Sequence, residues 1–197
     1  RLTRLSSCTD PPEPLYPAGV RDACDRFKLV ATGHPCLQNQ AVLRKRESCD
    51  ETPSGLHEMI EDHILGMKVN PLTYSHAADQ IERWLAEGGT RFVSICSVNN
   101  VVTALRDTKL MEIENSADMV TTDGMPLVWH LKRKGHRDCS RVYGPTLMLQ
   151  VLERATQKDV PVYFYGCTVD VLQKLRRNLI EKFPGLKIVG MFAPPFR

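Results

Sequence analysis

The chain has 197 residues, of which 42% are hydrophobic and 25% charged, with a formal net charge of +3. That length suits one domain with an appendage, and the apolar fraction suffices for a sizeable core. A charge this small gives no case for nucleic acid as a partner, and no apolar run approaches the roughly 20 residues of a membrane span.

Residues 1–62 read as a low-order N-terminal extension. Pro11, Pro12, Pro14, Pro17, Pro35 and Pro53 interrupt it, and its hydrophobic periodicity is weak. Such a stretch buries too little apolar surface to offset chain entropy. A short helix near 41–46 is the one element expected there. No signal peptide is expected, because the first residues carry no long apolar segment. The seven cysteines, Cys8, Cys24, Cys36, Cys49, Cys96, Cys139 and Cys167, form no CxxC pair and no Cys/His zinc spacing. They read as free thiols of a cytosolic protein, with Cys96 a small hydrophobe inside an apolar run. A disulfide among the first four is the less favoured alternative.

From residue 63 the pattern becomes regular, and 63–197 read as one α/β domain. A short strand is predicted at 64–69, ended by Asn70-Pro71. Ser75 is the predicted cap of a helix whose apolar face holds Ala78, Ile81, Trp84 and Leu85, with Gly88-Gly89 as its stop. A strand follows at 91–98, then helices through Val101, Val102 and Leu105 and over 110–115. A strand at 119–122 runs into Asp123-Gly124, and a helix over 125–134 ends at Gly135. Pro145 is expected as the first residue of a helix through Leu147, Met148, Val151 and Leu152. Residues 160–165, VPVYFY, are nearly continuous in apolar character, as buried parallel strands are. Thr168 or Asp170 starts a helix over 171–183, and 186–190 form the last strand. This alternation implies a Rossmann-like, mostly parallel sheet with helices on both faces.

Ligands of such sheets bind where strand C-terminal ends meet the following helices. Ser97-Val98-Asn99-Asn100 offers a hydroxyl and amides to a sugar or phosphate there, although helix capping explains these residues better from spacing alone. Asp123-Gly124 sets a carboxylate where a general base would face a cleft; an Asp N-cap is the common alternative. Gly166-Cys167-Thr168 allows close backbone approach to a diphosphate, or is a plain turn. Arg141 and Tyr143 precede Gly144-Pro145, and an Arg suits bidentate phosphate contact, with a surface Arg as the alternative. The basic run from Lys132 to Arg137 either meets anionic lipid or a polyprenyl diphosphate, or is a solvated helix end that complements the helix dipole. No GxGxxG, GxxxxGK[ST], zincin or Asp-x-Asp element occurs, so no dinucleotide cofactor and no metal is expected.

An ordered set of segments resembles the WecG/TagA/CpsF glycosyltransferase family. It comprises Ser97-Val98-Asn99-Asn100, the run from Asn115 to Trp129 with Asp123-Gly124 inside it, Arg141-Val142-Tyr143-Gly144-Pro145, VYFYG at 162–166, FPGLKIVG at 183–190 and APPFR at 193–197. The set covers about 64–197 and leaves 1–62 out. The resemblance implies a GT-E-like fold and an inverting, metal-independent enzyme. Such an enzyme moves a sugar, such as N-acetylmannosamine or its uronate, from a UDP-sugar to a polyprenyl-diphosphate-linked acceptor in teichoic acid or surface polysaccharide synthesis. It implies Asp123 as general base, Arg141 as holder of the diphosphate leaving group, and Ser97 and Asn99 as walls of the sugar pocket. Asn100, Gly124, Gly144 and Gly166 complete the expected substrate-binding set. A solvated aspartate is ionised at neutral pH and can accept a proton, and a guanidinium can neutralise charge developing on a phosphate. The UDP-sugar is a substrate, so no cofactor is expected. The expected location is cytoplasmic and peripheral, at the inner face of the cell membrane, with a homo-oligomer left open and no nucleic acid partner. Thr122 stands where the family often has Pro, Ser97 where Thr is common, and Thr146 where Asp is frequent. Because the family continues through further strands and a Gln-containing motif, the chain is expected to be incomplete at its C-terminus. A reading from another class is a non-catalytic α/β protein that holds a nucleotide or a partner.

Overall fold

The computed structural model describes residues 59–195, together with the backbone of two earlier strands, Leu29–His34 (β1) and Leu37–Val42 (β2). The remaining elements are β3 (Asp62–Ile64), β4 (Met67–Val69), α1 (Tyr74–Glu87), β5 (Phe92–Cys96), α2 (Val98–Ala104), α3 (Thr108–Asn115), β6 (Met119–Thr122), α4 (Met125–Arg133), α5 (Gly144–Gln157), β7 (Val162–Gly166), α6 (Val169–Lys182) and β8 (Ile188–Phe192).

Six strands form one sheet in the order β6-β5-β2-β1-β7-β8. The pairs β5/β6, β1/β7 and β7/β8 are parallel, whereas β1/β2 and β2/β5 are antiparallel. The fold is therefore α/β with a mostly parallel sheet, as the alternation of strands and helices predicts. Two strands depart from expectation, because β1 and β2 lie inside the stretch read as low-order. The helix expected near 41–46 is also corrected at its start: Ala41 and Val42 close β2, paired with Val93 and Phe92. Residues 43–46 lie outside the described residues.

Helices cover both faces. On one face Val93, Ile95 and Met119 pack under Ile81 of α1 and Leu147 and Val151 of α5. On the other, Cys96 and Val120 meet Val101 of α2, Leu127 and Leu131 of α4, and Met67 of the small hairpin. Helix α6 joins α5 over β7 through Leu172, Leu179 and Phe164. These are the buried stripes of amphipathic helices, and their removal from water is the main stabilising term.

The strand predicted at 64–69 is instead the β3/β4 hairpin. It turns at Leu65 and Gly66, with φ of 51° and 86°, which is the backbone a two-residue primed turn requires. Fully buried Asn70 ties this hairpin to the edge of the main sheet. Its Oδ1 accepts from Val120 N at 2.8 Å and its own N–H donates to Val120 O at 2.8 Å, so the far side of β6 is covered. The cap of α1 is Thr73 rather than Ser75, its hydroxyl accepting from His76 N at 3.3 Å. Pro145 is the second helical residue of α5 rather than the first.

The hairpin is also held to the end of α4. Lys134 donates to the Asp62 carboxylate, and His136 Nε2 lies 2.8 Å from its other oxygen. The Lys134 hydrogen bond, foremost, lowers the Asp62 carboxyl from its ordinary 3.8 to about 2. A depressed carboxyl contributes stability that is present above its ordinary value and is lost as pH falls through the folded value. Asp62→Asn is therefore expected to destabilise the protein at neutral pH, and its deficit should close between 3.8 and about 2. Denaturant unfolding across that range measures the deficit, and one that stays constant would contradict the assignment.

Candidate active site

Strands β5 and β6 run parallel and end side by side, each followed at once by a helix. Asp123 N donates to Cys96 O at 2.8 Å, so sheet pairing holds to the point where the chain turns. Gly124 then brings the two helix starts together. A Cβ there would lie 3.1 Å from Val98 Cγ2 and 3.4 Å from Val98 N, so a side chain at this position would require Val98 to give way by a few tenths of an ångström. The first turns of α2 and α4 adjoin, with Asp123 at the junction.

The segment before α5 is laid along the end of β6. Thr122 Oγ1 donates to Ser140 O at 3.2 Å, and Val142 N donates to Thr122 O at 2.8 Å. This delivers Arg141 to Asp123. Arg141 Nη2 donates to Asp123 Oδ1 at 2.9 Å and Nε donates to the same oxygen at 3.1 Å, while Nε also reaches the Asp123 carbonyl. The guanidinium stacks over the Tyr143 ring, 4.8 Å from its centroid. Tyr143 is itself held by Tyr74, whose hydroxyl accepts from Tyr143 N at 2.9 Å. The Asp123 side chain is 16% exposed and that of Arg141 47%. Among the described residues no hydrogen bond engages Asp123 Oδ2 or Arg141 Nη1.

The helix starts around this pair differ from the others. Thr73, Ser97, Asp107 and Thr168 cap α1, α2, α3 and α6 through their side chains. Helices α4 and α5 begin at Gly124 and Tyr143 without any side-chain cap. The orphan N–H groups and positive dipole ends of such starts favour an anionic ligand.

The Ser97 loop is held by its own hydrogen bonds. Ser97 caps α2 by accepting from Asn100 N at 3.3 Å, and its hydroxyl donates to Asn100 Oδ1 at 2.5 Å. Asn100 does not face outward. Its Nδ2 donates to Glu114 Oε1 at 3.2 Å, and Ser94 Oγ donates to Glu114 Oε2. Glu114 is 1% exposed. Asn99, by contrast, is exposed on the first turn of α2. The sequence reading missed Ser94 and Glu114, because a Glu in the polar run EIEN of α3 looks like a surface residue. Glu114→Ala leaves Ser94 and Asn100 without their buried acceptor, so a loss of about 1–2 kcal/mol of stability is expected from denaturant unfolding.

Gly144 is the buried first residue of α5, three residues after Arg141. Gly166 and Cys167 turn the chain at the end of β7 with φ of 119° and 60°. They share the edge with Asp123, but β5, β2 and β1 stand between β6 and β7, a separation of about 19 Å at usual strand spacing. Burial, and after it the Glu114 and Asp123 carboxylates, push the Cys96 thiol up to about 12. Burial likewise raises Cys139. Neither thiol has the character of a nucleophile. Among the described residues no group of three or more His, Cys, Asp or Glu side chains is placed to hold a metal ion.

Residues 62–197 match the Glycosyl transferase WecG/TagA/CpsF family. The chain belongs to that family. It is also similar to the N-acetylglucosaminyldiphosphoundecaprenol N-acetyl-beta-D-mannosaminyltransferase of Bacillus spizizenii, at 31% identity over 87 residues, which is 44% of this chain and 34% of that protein. The protein of the same name from Bacillus subtilis is 24% identical over 87 residues, with the same coverage. The matched stretch thus spans about a third of each of these relatives. In this WecG/TagA/CpsF chain the Asp123/Arg141 pair and the starts of α2, α4 and α5 all fall within the matched range, whereas β1 and β2 precede it.

Proposed function

We propose that this WecG/TagA/CpsF chain carries the active site of an inverting hexosyltransferase. The donor is a UDP-sugar bearing N-acetylmannosamine or its uronate, and the acceptor is an N-acetylglucosamine linked through diphosphate to a polyprenyl lipid. The product feeds teichoic acid or a surface polysaccharide. The reading draws its acceptor from the names of the Bacillus relatives. It is carried by one observation: a carboxylate and a guanidinium paired at the sheet's C-terminal edge, between two uncapped helix starts.

The geometry suits the chemistry. Arg141 uses its Nε side on Asp123 Oδ1, which fixes the carboxylate and leaves Oδ2 for an acceptor hydroxyl. As that hydroxyl oxygen attacks C1 of the donor sugar, Asp123 takes its proton. The bond from C1 to the UDP oxygen breaks, and the electron pair leaves with UDP. Attack opposite the leaving group inverts C1. The outer Nη edge of Arg141 and the starts of α4 and α5 stabilise the negative charge that builds on the diphosphate. Ser97 and Asn99 stand beside the sugar, and Gly124 and Gly144 keep the backbone close to the diphosphate. Gly166 stands further along the edge, where an extended nucleotide reaches. No metal or cofactor is invoked.

A lipid-linked acceptor sets the reaction at a membrane surface, and the proposed place is the cytoplasmic face of the cell membrane. Among the described residues no helix is long and apolar enough to cross a membrane. Calorimetric titration of the 197-residue chain with UDP and UDP-N-acetylmannosamine, in metal-free buffer, tests the donor half of the proposal. Saturable binding at one site is expected. A folded chain that binds neither would overturn it.

A further inference from the structure

Helix α4 carries two chemistries on its outward side. Met125 and Trp129, one helical turn apart, are 40% and 60% exposed. Trp129 joins Pro126, His130, Arg133 and Lys134 in lining a shallow groove. The opposite side of the helix, Leu127, Val128 and Leu131, is already buried in the core, so the outward side is not needed for packing. Residues 125–137 contain no Asp or Glu, and Lys132, Arg133, Lys134 and Arg137 are all exposed. Lys134 is engaged by Asp62. Among the described residues no ion pair holds Lys132, Arg133 or Arg137.

We infer that this side of α4 docks on an anionic lipid bilayer, with Met125 and Trp129 entering the headgroup boundary and Lys132 and Arg133 meeting lipid phosphates. The inference rests on the reading of the acceptor as lipid-linked, and it names the surface that reaches the lipid. An indole beside unpaired cations on a helix lying along the surface is the pattern that anchors proteins at a membrane interface. Charge complementarity selects the occupant. Two copies of the chain apposed through this side would bring cations against cations, whereas an anionic bilayer neutralises all of them. The position also serves the site, because α4 starts at Gly124 beside Asp123. Seating α4 on the surface brings the catalytic edge to headgroup level, where the diphosphate of a lipid-linked sugar lies.

The chain reports its own docking. It has two tryptophans, and Trp84 is 8% exposed against 60% for Trp129, so an emission shift on adding vesicles comes from Trp129. A blue shift is expected with vesicles rich in phosphatidylglycerol and almost none with phosphatidylcholine alone, and it should shrink as salt rises. Lys132→Gln with Arg133→Gln is expected to weaken partition about 30-fold. Transfer to a water-soluble acceptor analogue without a lipid tail should stay at the parent rate in this variant, because neither side chain touches the Asp123 site. Sedimentation with vesicles gives the same comparison for Trp129→Ser, which should also lose binding. Absence of the shift with anionic vesicles, or undiminished binding by the double variant, would overturn the inference. Burial of Trp129 with rising protein concentration and no vesicles would also overturn it, by assigning the face to a second copy. Vesicle binding that follows these expectations in a chain with no transferase activity would uphold the docking surface while removing the transferase reading.

Discussion

Asp123→Asn is expected to lower sugar transfer by about 10²–10⁴-fold while leaving UDP affinity close to that of the parent chain. On the proposed mechanism, the substitution removes the acceptor of the hydroxyl proton and little else. An amide keeps an oxygen where Oδ1 now accepts from Arg141 at 2.9 Å, and the Asp123 backbone contacts with Arg141 and Cys96 are untouched. The cost to folding is small, because the pair sits at a half-open edge with Arg141 47% exposed, and such ion pairs contribute about 0–1 kcal/mol. Steady-state UDP release, set beside calorimetric UDP binding, separates the two effects. A variant with near-parent turnover would remove Asp123 from the role of base, and a variant that loses binding and turnover together would make it a donor ligand instead.

Arg141→Ala is expected to act on the other half of the reaction. Charge-assisted contacts to a diphosphate are strong, so loss of this guanidinium should weaken UDP binding on the order of 10²-fold. Arg141→Lys should recover only part of it, since an ammonium cannot hold Asp123 Oδ1 through its Nε side and offer a second edge to phosphate. Calorimetric titration of both variants with UDP measures this. Unchanged affinity in Arg141→Ala would mean that the residue only positions Asp123.

Much of the fold is written in local patterns. VPVYFY reads as a buried strand because its apolar character is almost unbroken, and β7 occupies it from Val162. Helices α1 to α6 all stand near where their apolar spacing places them. The misses have non-local or backbone causes. Ile64, Met67 and Val69 look like one strand, and the positive φ at Leu65, rare for such a residue, together with that at Gly66 breaks them into a hairpin. The strand LQNQAV carries little hydrophobic signal, and its place follows from pairing with β1 and β5 rather than from its own residues. The candidate site divides in the same way. Asp123 and Arg141 are each visible as a polar residue shortly before a glycine at a helix start. Nothing local says that residues 18 positions apart will pair. Asn100 looks like a ligand because it opens a helix at a strand end, yet Glu114 in the next helix draws its amide inward. Asn99, its exposed neighbour, is left as the amide on that turn that faces solvent.

The most direct test of the central claim is UDP release by the 197-residue chain given UDP-N-acetylmannosamine and a short-tailed lipid-diphosphate N-acetylglucosamine, with the anomer of the product read by NMR. Release that requires the acceptor and yields an inverted linkage is the predicted result. Saturable UDP-sugar binding with no release, or a product with retained configuration, would contradict a site in which Asp123 takes the acceptor proton and Arg141 holds the departing diphosphate.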